Sequence, residues 1–163
     1  KMSPTDPKVL WAIREPAFDH GRWLARRRVR VTPKPDLPQM PPGLAQHATF
    51  AAKQLQRSAL EIDGAMRKHQ LGLADRQARI AELTQRVMGA AVLLCTALYG
   101  GRQDDGTLRL AADVMCDELA RSLDGSRPSD REFRKLSELG AAVADGAFPG
   151  MDEVRQTPLL MQY

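Results

Sequence analysis

The densest chemistry in this sequence is the run Arg22-Trp-Leu-Ala-Arg-Arg-Arg-Val-Arg-Val31, where five arginines fall within nine residues. Guanidinium groups are planar, permanently charged donors suited to phosphate oxygens. Trp23 sets an amphipathic ring beside them, the kind of side chain that settles at a membrane–water boundary. Each basic residue near an anionic bilayer contributes on the order of 1 kcal/mol. Arg22, Trp23, Arg26, Arg27, Arg28 and Arg30 are therefore the candidate contacts to an anionic surface. The competing reading is a connecting helix whose arginines face solvent or neutralise acids on another domain. Nucleic acid is not an expected partner, because no recognisable reader module accompanies the run.

The other reactive side chains do not assemble by spacing alone. His47 and His69 lie about six turns apart on one expected helix, too far to share a ligand. Cys95 and Cys116 fall inside apolar helical patterns and read as small buried thiols. The chain has no Gly-rich phosphate loop, no paired-cysteine motif, and no Gly-x-Ser-x-Gly setting around its serines. Acidic neighbours such as Asp117-Glu118 point in different directions on a helix and read as solvated surface. No catalytic, flavin-binding or metal-binding residue is expected, and the chain alone is not expected to catalyse a reaction.

The elements that carry these residues are set by proline. Eight of the 11 prolines lie at or before Pro42, and none then occurs until Pro128. The prediction is a Pro/Arg-rich arm over 1–43, a helical bundle over 44–146 and an irregular tail over 147–163. Within the arm, Pro16 separates two short expected helices, around Lys8 to Arg14 and Phe18 to Val29, and an extended linker follows from Thr32. Residues 1–45 carry nine Lys/Arg against four Asp/Glu, so the arm holds all of the chain's net charge of +4.

Apolar spacings of three and four then mark four helices, an all-α antiparallel bundle. The first has the stripe Leu44, Ala48, Ala51, Leu55, Ala59, Ile62, Met66, His69 and ends near Gly72. The second runs from about Ala74 to Tyr99 on Ile80, Leu83, Val87, Ala91, Leu94, Leu98, with Gly100-Gly101 as its stop. Its second half is apolar nearly all round, so it should be the most buried helix. Asp104-Asp105 supplies cap candidates for the third, from Leu108 to Leu123, with Leu108, Ala111, Ala112, Met115, Leu119 and Leu123 inward. Ser129 or Asp130 caps the fourth, with Phe133, Leu136, Leu139, Ala142 and Val143 inward. No apolar h-region opens the chain, and its start at Lys1 reads as a piece cut from a longer polypeptide. The expected location is the cytoplasm or the inner face of a membrane.

Several segments of this bundle resemble the C-terminal domain of acyl-CoA dehydrogenases of the very-long-chain type. They are Phe50-Ala-Ala-Lys-Gln-Leu55, Lys68-His-Gln-Leu-Gly-Leu73, Asp75-Arg-Gln-Ala-Arg-Ile-Ala-Glu-Leu-Thr84, Cys116-Asp-Glu-Leu-Ala-Arg-Ser-Leu123 and Arg131-Glu-Phe-Arg-Lys-Leu-Ser137. The similarity covers roughly Leu44 to Ala144. It implies a parent enzyme that dehydrogenates fatty acyl-CoA with FAD, in fatty acid beta-oxidation. It also implies an upstream dehydrogenase domain as packing partner, a homodimer, and peripheral membrane contact through the connection at 8–43. That connection departs from the family in being shorter and richer in proline. The family's glutamate motif, Phe/Tyr-Glu-Gly-Thr, does not occur here, so no catalytic or flavin-binding residue is carried over. The alternative is a stand-alone helical adaptor that binds a partner helix, with the basic arm on an anionic surface.

Overall fold

The computed structural model describes residues 7–29, 35–73 and 75–149, leaving aside the side chains of residues 7–10, 12, 13, 27–29 and 71. The expected tail beyond Pro149 and the linker segment 30–34 lie outside the described residues. The described chain is all helical. It comprises α1 (Pro7–Val29), α2 (Pro42–His69), a 3-10 turn (Gln70–Leu73), α3 (Gln77–Gly101), α4 (Gly106–Asp124) and α5 (Asp130–Ala144). It divides into two compact units, 1–34 and 35–163.

In the first unit Pro16 lies inside one continuous helix rather than between two short ones. Its ring fixes φ near the helical value, so it removes one backbone hydrogen bond without forcing an end. Along α1 the Arg14 guanidinium lies 3.6 Å from the centre of the Trp11 ring, and His20 stacks on Trp23 at 5.7 Å.

In the second unit α4 and α5 begin where a side chain supplies a cap, whereas α2 and α3 begin without one. Pro42 occupies the first turn of α2, where a missing N–H is no loss. Asp105 accepts from the Leu108 N–H at 2.8 Å to start α4, and Gly125 ends it at φ 74°. Ser129 and Glu132 form a reciprocal capping box on α5. α2 ends at His69, three residues before Gly72, because Gln70 takes a positive φ of 45°.

The core is built from alanine, leucine and cysteine on three helices: Leu44, Ala48 and Ala51 on α2, Leu93 and Ala97 on α3, Ala112 and Cys116 on α4. Leu37 and Met40, ahead of α2, pack against it as well, so residues 35–43 belong with the bundle. Gly100 does not stop α3. It is buried, with Ala112 and Leu44 occupying the space that a side chain there would need.

The phase of the α3 stripe differs from the expected one. The buried positions are Leu83, Ala90, Leu93, Ala97 and Gly100, and Ile80 is exposed. Met66, Met115, Phe133 and Leu136, expected inward, are also exposed. α5 has no fully buried residue: Leu139, Ala142 and Val143 are half-buried, and Glu132 and Lys135 reach charged groups on α4.

Candidate functional site

The expected anionic-surface residues are distributed along α1. Arg22 and Arg26 are exposed one turn apart, and Trp23 is half-buried. Arg27 and Arg28 lie on the same helix with side chains outside the description, and Arg30 lies outside the described residues. Trp11 and Phe18 are exposed two turns apart on that helix, so aromatic and basic side chains share its surface.

The structure also gathers a polar cluster that sequence spacing did not reveal. His47 on α2 places Nε2 3.3 Å from Asp113 Oδ1 and 3.2 Å from Asp117 Oδ1, both on α4. Lys135 on α5 places Nζ 2.6 Å from Oδ2 of each carboxylate. All four side chains are less than a fifth exposed. Asp113 Oδ1 has no donor in line, so its contact with His47 is one of proximity rather than an aligned hydrogen bond. The neighbouring His47 and the Lys135 ammonium outweigh burial and hold the Asp113 carboxyl down at about 2. Burial works against the Lys135 charge, but its bonds to the two carboxylates prevail and raise its pKa. Cys116, beneath this cluster on α4, has its thiol pushed up to about 12 by burial and by the two aspartates, and is therefore an inert packing group.

One imidazole and two carboxylates with ligand atoms within 4.8 Å of one another match the donor set of a metal centre. Lys135 decides against that reading. Its ammonium already bridges both carboxylates at hydrogen-bond distance, where a cation would sit. The cluster is a clasp that ties α2 and α5 to α4. The signal for half of it was present in the sequence: Asp113 and Asp117 stand one turn apart, on the α4 side that also carries Ala112 and Cys116.

The larger feature is apolar. At about 100° per residue, Ile80, Thr84, Met88, Val92, Cys95 and Tyr99 line the side of α3 opposite its buried face. Met88 is 61% exposed, Val92 44% and Tyr99 59%. Only 22% of the most apolar window of α3 is buried, although that helix is long and apolar enough to cross a membrane. Between Arg86 and Arg102 the helix carries no charge. Its N-terminal half joins Ile62, Ala65 and Met66 of α2, and Leu73, around a groove of about 370 Å³. Soluble monomers seldom leave such a continuous apolar strip uncovered.

Both ends of the strip carry charges of both signs. Arg76 starts α3 with no side-chain cap and no acid in the first turn, beside Asp75, Glu61, Lys68, His69 and Arg79. Desolvation and the charges of Arg76, Lys68 and Arg79 push the His69 pKa down. After the other end come Arg102, Asp104 and Asp105, all exposed.

No family model, curated protein or solved structure matches this chain.

Proposed function

We propose that this chain is a non-catalytic helical interaction module that seats the outer face of α3 against another protein surface. The observation that carries the reading is the uncovered strip from Ile80 to Tyr99 on the most apolar helix. α3 already packs on α2 and α4, and its remaining face has the composition of a second packed side. In this reading α2 to α5 alternate in direction as an antiparallel bundle, with the N-terminal segment as an arm.

The test is methionine oxidation. In the dilute isolated chain, peroxide should oxidise Met88 and Met66 quickly, because both side chains are exposed. In the native assembly Met88 should be protected. Equal rates in the two states would remove the reading.

A more specific form follows from the sequence resemblance. The module would then be the C-terminal domain of an FAD-dependent acyl-CoA dehydrogenase, with the flavin and the chemistry in an upstream domain that covers α3. An uncovered packing face on the separated bundle supports this form. A native polypeptide well above 18.0 kDa, with flavin absorbance that bleaches on adding acyl-CoA, is its expected signature. A colourless protein near that mass leaves the adaptor form.

The mix of Trp11, Phe18, Arg22 and Arg26 on α1 supports peripheral contact with an anionic membrane. Reversing Arg22, Arg26, Arg27, Arg28 and Arg30 to glutamate should abolish co-sedimentation with vesicles rich in anionic lipid. Unchanged sedimentation would end that role.

A further inference from the structure

The groove between α2 and α3, beside the turn that joins them, is the concave part of the uncovered apolar surface. We infer that this groove seats an amphipathic helix of another protein whose polar side is rich in acids. The inference names a partner for the interface proposed above and rests on that reading.

The channel of about 370 Å³ is walled by Ile62 and Met66 on α2 and by Ile80, Val87 and Met88 on α3, with Leu73 at the turn. From Ile80 to Met88 is about 12 Å at 1.5 Å per residue, or two helical turns. That length takes apolar anchors at i, i+3 or i+4, and i+7 of a guest helix. Met66 is 58% exposed and Met88 61%. Methionine is unbranched and polarisable, so two of them in one groove can mould to the ridges of a helix. A flat bilayer surface would reach the rim of this channel and leave its inner wall uncovered.

Charge then specifies the guest. The groove shares Ala65 with a hollow of about 640 Å³ around the start of α3, lined by Lys68, His69, Arg76 and Arg79 and by two acids, Glu61 and Asp75. The acids do not balance the bases. Glu61 lies 3.3 Å from Arg57 and 3.2 Å from Arg86, while Glu82 lies 2.8 Å from Arg86 and 2.6 Å from Arg79. Three arginines thus share two carboxylates. Lys68, Arg76 and Asp75 make no ion pair among the described residues, so a net positive charge remains even with Asp75 counted. Arg67 and Asp63 pair with each other at 2.7 Å and cancel. The excess is felt at His69, where desolvation and then Arg76, Lys68 and Arg79 disfavour the charged imidazole. Acids on the part of a guest helix that lies over the hollow would meet this excess. Arg102, Asp104 and Asp105 at the far end select neither sign.

The probe is a displayed library of helical peptides about 18 residues long, enough to form a helix in isolation. Its apolar stripe is fixed and its polar positions are drawn from Glu, Lys, Gln and Ala. Selection on the full chain should enrich sequences in which Glu outnumbers Lys. Met66→Glu and Met88→Glu should each weaken the selected peptides roughly tenfold or more, with helical circular dichroism intact because both side chains are exposed. Lys68→Glu combined with Arg76→Glu, both exposed positions, should turn the selection toward Lys. A selected peptide should also slow peroxide oxidation of Met66 and Met88.

No enrichment, enrichment without an excess of Glu, or binding indifferent to Met66 and Met88 would overturn the proposal. If one of these occurs while Met88 is protected in the native assembly, a different surface, protein or lipid, covers α3 and the interface reading stands. If the library yields nothing and Met88 is unprotected as well, both readings fall.

Discussion

Gly100→Ala should destabilise the protein, while Gly64→Ala, the same change on a neighbouring helix, should stabilise it. A methyl group at Gly100 would fall inside the contact distance of Ala112 Cβ and 3.2 Å from Leu44 Cδ1. Ala112 Cβ is fixed to its backbone and cannot rotate away, so α3 and α4 must separate where the core is tightest. Overpacking of this kind costs about 1–3 kcal/mol, which exceeds the ~1 kcal/mol that alanine gains over glycine inside a helix. A net loss of about 1 kcal/mol corresponds to a melting temperature lower by roughly 2–4 °C in a chain of this size. A methyl at Gly64 meets nothing within 4 Å, so the propensity gain should appear there with little offset. Thermal melts of the two variants check both signs. If Gly100→Ala is neutral, α3 and α4 are not closely packed at Ala112.

Lys135→Met should have a comparable effect by a different route. It removes the ammonium bridging Asp113 and Asp117, leaving two neighbouring carboxylates with His47 alone. Removing one partner of a buried pair costs 3–5 kcal/mol. The residual exposure of this cluster reduces the expectation to about 2 kcal/mol. The pH dependence should change as well. Asp113 titrates at about 2 when folded against 3.8 ordinarily, so its contribution is complete above pH 3.8 and is lost as pH falls through about 2. Without Lys135 the folded value rises toward the ordinary one, and acid unfolding should begin at a higher pH. Lys135→Arg keeps the charge and should recover most of the stability. Urea titration at pH 7 and an acid titration of each variant test this. If the curves coincide with wild type, the clasp does not hold α5.

What the sequence disclosed was whatever is encoded locally. The cap at Asp105, the cap at Ser129, and the four helices of the bundle follow from residues within a turn of one another. The phase of α3 does not. From Val87 to Leu98 every residue but Thr96 is apolar or glycine, so periodicity has nothing polar against which to orient the helix. Packing sets the phase instead: Gly100 faces inward where Ala112 and Leu44 leave no room for a side chain, and Ala90, Leu93 and Ala97 are buried on the same side. The clasp was hidden for a related reason, since His47, Asp113 and Lys135 lie 66 and 22 residues apart and only packing joins them. Pro16 misled in the other direction, because one missing hydrogen bond does not end a helix.

The alanine-rich core has a thermal consequence. Ala48, Ala51, Ala90, Ala97 and Ala112 have no rotamers to immobilise, so ordering them costs no side-chain entropy. They also remove little apolar surface from water, and exposure of apolar surface is what makes the heat capacity of unfolding large and positive. The stability of this bundle should therefore vary gently with temperature, a shallow curve set more by backbones in close approach than by hydration.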